Sequence, residues 1–110
     1  MATEISVLCR AGAGLAPENA DTICSEFLAV LRDTYPDRTF HPGGAGNPRA
    51  EFTVTQANER SVGLTVTWIS GTGAATDGLP LQASFYDRPA SPARRKSFYT
   101  AFLNQNPLPF

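Results

Sequence analysis

Apolar positions recur along the chain with two different periods, and the switches between them mark out its elements. Ile5, Val7 and Cys9 alternate with polar neighbours, which predicts a strand over Glu4–Arg10. From Ala20 the spacing changes to i, i+3, i+4, i+7. Ala20, Ile23, Cys24, Phe27, Val30, Leu31 and Thr34 fall on one arc, and Asp21, Ser25, Ala29, Arg32 and Asp33 lie opposite. Pro17 and Glu18 suit the first turn of this helix. Tyr35-Pro36 ends it, because a residue before proline is pushed out of the α region.

The glycine- and proline-rich stretch His41-Pro42-Gly43-Gly44-Ala45-Gly46-Asn47-Pro48 then reads as a flexible connection. It carries neither a P-loop nor a dinucleotide fingerprint. Alternation resumes in Glu51–Ala57, with Phe52 and Val54 on one face. It continues in Val62–Ser70, with Val62, Leu64, Val66 and Trp68 on one face and a threonine-rich face opposite. Asn58 to Ser61 joins the two as a hairpin loop. After a loop over residues 71–78, a third strand is expected from Leu79 to Tyr86, with Leu79, Leu81, Ala83 and Phe85 facing in.

Ser91 as N-cap and Pro92 at the first helical position open a second helix, whose apolar arc is Phe98, Tyr99, Phe102 and Leu103. It stops near Asn104–Asn106, and the tail Pro107 to Phe110 is expected to lie extended along the body, adding Leu108 and Phe110 to the core. The order strand, helix, three strands, helix predicts an α+β domain of two layers, with both helices on one face of an antiparallel sheet. The sheet leaves an edge that a second copy or a partner strand can pair with.

The 110 residues suit one domain, 1–110, with a radius of gyration of roughly 13 Å. Lys+Arg 9 against Asp+Glu 10 is near balance, which excludes a broad nucleic-acid surface built on phosphate neutralisation. A 42% hydrophobic content is enough for a core, yet the longest apolar run is far too short for a transmembrane helix. Met1-Ala2-Thr3-Glu4 carries an acid where a secretory signal has bases, so read literally the chain is cytoplasmic. Alternatively a signal has been removed, and Ala2-Thr3-Glu4 follows the cleavage site.

Cys9 on the first strand and Cys24 on the apolar arc of the first helix point toward one interior. They are either two buried thiols or a disulfide closing a loop of about 15 residues, worth roughly 3 kcal/mol. A bridge would favour a periplasmic or secreted protein.

Candidate chemistry is sparse. His41 is the only histidine, and with two inward cysteines it does not complete a zinc set. No Gly-x-Ser-x-Gly elbow occurs, and no carboxylate pair sits at i, i+4 on an apolar face. No cofactor is expected, and the roles an enzyme must fill stay empty.

Arg94-Arg95-Lys96 is the most informative segment. Positive charge in the first turn of a helix opposes the macrodipole by roughly 0.3–1 kcal/mol per charge. Two explanations compete. Arg94, Arg95 and Lys96, with Arg88 from the preceding loop, form an anion site with the first-turn amides. Alternatively, Arg95 lays its stem along the aromatic face while Asp87 or another acid neutralises the cluster.

The outline helix, three strands, helix, with bases opening the last helix, resembles the double-stranded-RNA-binding domain. That resemblance implies contacts to major-groove phosphates from Arg94, Arg95 and Lys96. Phe98, Tyr99 and Phe102 stand where that family has small residues, and its tight Gly-Pro contact loop has no counterpart here. Together these features predict a non-enzymatic binding or accessory module of the cell envelope or periplasm, whose partner is a protein or a small anionic ligand. The alternative is a cytoplasmic anion- or RNA-binding module using the basic start of the last helix.

Overall fold

A computed structural model describes residues 3–43 and 46–110, with a radius of gyration of 13.6 Å. Met1, Ala2, Gly44 and Ala45 lie outside the described residues, so part of the expected terminus and of the glycine-rich loop is not addressed. The elements are β1 (Thr3–Ala11), α1 (Pro17–Thr34), β2 (Arg38–Pro42), β3 (Arg49–Ala57), β4 (Ser61–Ile69), β5 (Ala75–Asp77), β6 (Leu81–Ser84) and α2 (Pro92–Gln105). The class is α+β, and the expected order is kept with two short strands added, β2 and β5.

The sheet is mixed, which corrects the expectation of an antiparallel one. β1 runs parallel to both β2 and β3, while β3–β4, β4–β5 and β4–β6 are antiparallel. The reason is topological. A strand followed by a helix that returns across the same sheet face re-enters the sheet parallel to where it left. The strand order is β2-β1-β3-β4, with β5 and β6 both on the far side of β4.

α1 buries Ala20, Ile23, Phe27, Val30 and Leu31, and α2 buries Phe98, Tyr99, Phe102 and Leu103, in one core with Ile5, Val7, Phe52, Val54 and Leu64. Phe27 is the hub of that core. Its ring lies 4.7 Å from Phe52, and 5.6 Å from both Tyr99 and Phe102, in edge-on geometry that suits aromatic quadrupoles. Trp68, 2% exposed, stacks edge-on with Phe52 and Phe110 and is a core residue. The tail lies along the body as expected. The Phe110 carbonyl accepts from Arg38 Nη2 at 2.8 Å, and Leu108 N–H donates to the Tyr35 hydroxyl at 3.0 Å.

Cys9 and Cys24 are joined by a disulfide, with Cα atoms 6.0 Å apart. It ties β1 to α1 across the loop between them. Leu79 departs from expectation, being 64% exposed rather than facing in. Its backbone is claimed by the buried side chain of Asn106. Asn106 Oδ1 accepts from Leu79 N–H at 2.6 Å, and Nδ2 donates to the carbonyls of Leu79 at 3.0 Å and Phe102 at 3.1 Å. This latch fixes the approach to β6 from the end of α2.

Candidate functional site

The basic start of α2 is built on its cap. Ser91 Oγ accepts from Arg94 N–H at 3.3 Å, Pro92 occupies the first turn, and the turn holds no acid. Such a cap leaves the positive charges to be met by other parts of the chain, and two acids meet those of Arg94 and Arg95.

Arg95 reaches α1. Its Nε donates to Glu26 Oε1 and its Nη2 to Glu26 Oε2, each at 2.7 Å, while Nη1 donates to the Ala90 carbonyl at 3.4 Å. Tyr99, one helical turn further on, donates its hydroxyl to the same Glu26 Oε1 at 2.7 Å. Burial works against the Glu26 carboxylate. Hydrogen bonds from Arg95 and Tyr99, and the charge of Arg95, outweigh it and hold the group below its ordinary value of 4.5. The bond to Glu26 raises Arg95 still further. Burial, then the bond to Glu26, pushes the Tyr99 phenol up, so it stays protonated and acts as a donor.

Arg94 turns the other way. Its Nη2 donates to Asp87 Oδ1 at 3.0 Å, its Nη1 donates to the Arg88 carbonyl at 3.1 Å, and its guanidinium lies 4.8 Å over the Phe85 ring. The hydrogen bond from Arg94 holds Asp87 below its ordinary value. Arg88 Nε is 3.9 Å from Asp87 Oδ2, and both groups are largely exposed. Lys96 is exposed and makes no ion pair among the described residues.

Arg95 therefore ends on Glu26, Arg94 and Arg88 on Asp87, and Lys96 on neither, so the four cations named from sequence do not converge on one point. Glu26 is the residue that sequence reasoning missed. The available signal was its place at the rim of the apolar arc, three residues after Ile23 and four before Val30. His41 Nε2 sits 3.5 Å from Glu4 Oε1, with both side chains exposed. Among the described residues no group of three or more His, Cys, Asp or Glu is placed to hold a metal ion.

Among the depressions that flank α2, two reach the sheet or its hairpin loop. A cleft of about 360 Å³ runs beside Asn19, Thr22, Asn58, Glu59 and Arg95. A more apolar groove of about 510 Å³ lies between α2 and β6, lined by Leu81, Ala83, Phe85, Phe98 and Ala101, with Arg94 at its side. Of the three large apolar residues exposed among the described residues, two flank β6: Leu79 at 64% and Tyr86 at 88% exposure. Arg94 and Arg95 are thus spent on internal pairing, while the apolar groove beside α2 opens onto β6.

This is a small α+β domain whose first strand is locked to its first helix and whose last strand is a free edge. Among solved structures it is similar to the PelC L103M dodecamer from Paraburkholderia phytofirmans, with a TM-score of 0.74 over 98% of this chain and 88% of that one, at 13% identity. No family model and no curated protein matches the chain. At that identity the likeness shows the fold. The six-stranded sheet with its parallel strands departs from the helix, three strands, helix outline of the double-stranded-RNA-binding domain.

Proposed function

We propose that the chain is a non-enzymatic accessory module of the cell envelope or periplasm that works by binding another protein. The Cys9–Cys24 bond carries this reading. Disulfides form and persist in oxidising compartments, and they are rare where thiols are kept reduced. The partner is read as a protein because the open groove and exposed edge beside α2 are apolar and extended rather than enclosed and polar. The PelC chain that shares the fold was solved as a dodecamer, which supports a role through assembly.

The cytoplasmic anion- or RNA-binding reading draws less support. The guanidinium groups it needs already serve Glu26 and Asp87.

Fractionation of cells expressing the gene from its own locus tests the proposal. The chain is expected with the envelope or osmotic-shock material. Recovery with the cytosolic markers contradicts it.

A further inference from the structure

We infer that β6 is the self-association edge of this chain, pairing antiparallel with β6 of a second copy about a two-fold axis at Ala83. The inference deepens the proposed binding role by naming the partner as another copy of the same chain.

The ladder decides which backbone groups are free. Phe85 N–H donates to the Arg60 carbonyl at 2.7 Å, next to the register pairs Ser61↔Ser84, Val62↔Ala83, Gly63↔Gln82 and Leu64↔Leu81. In an antiparallel ladder, bonded pairs alternate with non-bonded ones. Residues 81, 83 and 85 therefore bond to β4, and the N–H and C=O of Gln82 and Ser84 point outward. Neither is reached by any other hydrogen bond among the described residues.

The opposite edge is partly blocked. In β2 the Phe40 carbonyl accepts from Arg32 Nη2 at 3.1 Å, and Pro42 has no N–H, so β2 is a poor template for head-to-tail pairing.

Sequence then makes β6 complementary to itself. With the axis at Ala83, Gln82 of each copy faces Ser84 of the other, and the four outward groups on each side give four backbone hydrogen bonds. Pairing at Gln82 alone would instead set Ser84 against Pro80, which has no N–H to give. On the helix-facing side, Leu81 of one copy meets Phe85 of the other over the apolar groove. Beyond the ladder, exposed Tyr86 comes against Leu79 and Pro80 of the second copy, so the two large apolar residues flanking β6 cover each other. Arg88 of one copy is carried toward Asp77 of the other, placing opposite charges at the rim. Ridge, edge and charge all match under one register. The surface that results is isologous and closed at two copies.

Sedimentation across the micromolar range tests the pairing. A concentration-dependent dimer is expected. Gln82→Pro removes one outward N–H per copy and no ladder bond, and edge strands tolerate proline where the N–H faces solvent. It should weaken the dimer roughly 30-fold while far-UV circular dichroism stays unchanged. Tyr86→Lys, at a position exposed in the monomer, should also weaken it without touching the fold. Ala83→Cys supplies a direct readout of the axis. Facing residues of a non-bonded antiparallel pair have Cα atoms about 4.5 Å apart, within disulfide range. Mild oxidation should therefore give a covalent dimer, whereas Thr55→Cys on an exposed part of β3 should not. A monomer throughout the range, a dimer that survives both Gln82→Pro and Tyr86→Lys, or no cross-link at position 83 overturns the inference. Failure of the envelope reading shows up separately, as reduced cysteines or cytosolic recovery.

Discussion

Arg95 of α2 and Glu26 of α1, 69 positions apart in the chain, face each other through two hydrogen bonds of 2.7 Å, and Tyr99 donates a third to the same carboxylate. The pair is largely shielded, with side-chain exposures of 18% and 25%, so it is a clasp between the helices rather than a surface ion pair. Removing one partner leaves the others unsatisfied. Glu26→Ala strands a guanidinium and a buried phenol together, and should cost about 2–3 kcal/mol in urea-induced unfolding. Glu26→Ala together with Arg95→Ala should cost less than the two single losses added, because neither charge is then left alone.

Anion affinity follows from the same geometry. With Arg95 on Glu26 and Arg94 on Asp87, the start of α2 has little free positive charge to offer. Calorimetric titration of phosphate, and of a polyanion at low salt, should give no difference between the natural chain and Arg94→Ala/Arg95→Ala protein. A loss of binding in the variant would restore the anion site.

Acid stability has a defined sign. Glu26 is held below its ordinary value of 4.5 in the folded chain. A carboxylate whose folded pKa is depressed contributes stability that is full above its unfolded pKa and is lost as pH falls through the folded one. Thermal midpoints should therefore be level above about pH 5 and decline below 4.5. In Glu26→Gln protein the midpoint should be lower at neutral pH, and its decline in acid should be shallower. Parallel curves for the two proteins would refute the assignment.

The helices and the fate of the charge cluster were legible in sequence to different depths. α1 and α2 were readable nearly to the residue, because proline, an N-cap serine and a 3.6-residue period are all local features. That an acid would neutralise Arg94 was also readable, since Asp87 is a near neighbour in the chain. The partner of Arg95 was not, because nothing local couples position 26 to position 95. β2 was hidden for a related reason. Only Phe40 of its five residues is buried, and its pairing with β1 is parallel and distant in sequence. Leu79 misled because alternation was extended through a segment whose backbone Asn106 had taken.

That latch is a prediction in itself. Asn106→Ala leaves the Leu79 N–H and carbonyl without partners in a part-buried setting, and should cost about 2 kcal/mol. Gly78→Ala should act in the same direction. A Cβ there would stand 2.5 Å from both Asn106 Oδ1 and Val66 Cγ1, and Val66 is in the core. Hydrogen exchange should show the loosening at β6 and the end of α2, with β1 and β3 unchanged.

The bridge between β1 and α1 closes a 15-residue separation. In the chain-entropy model, that constraint on the unfolded chain is worth roughly 3 kcal/mol. Protein carrying both Cys9→Ala and Cys24→Ala should lose about that much in urea unfolding while keeping the same far-UV spectrum, because both cysteines only rim a core centred on Phe27.

The proposed compartment rests on that bond existing in the cell, and its state can be read directly. Protein taken from its native source is quenched with an alkylating agent in the absence of reductant and weighed intact by mass spectrometry. No added label is expected, and two labels once the protein has been reduced first. Two labels without reduction would show Cys9 and Cys24 as free thiols and contradict the envelope assignment.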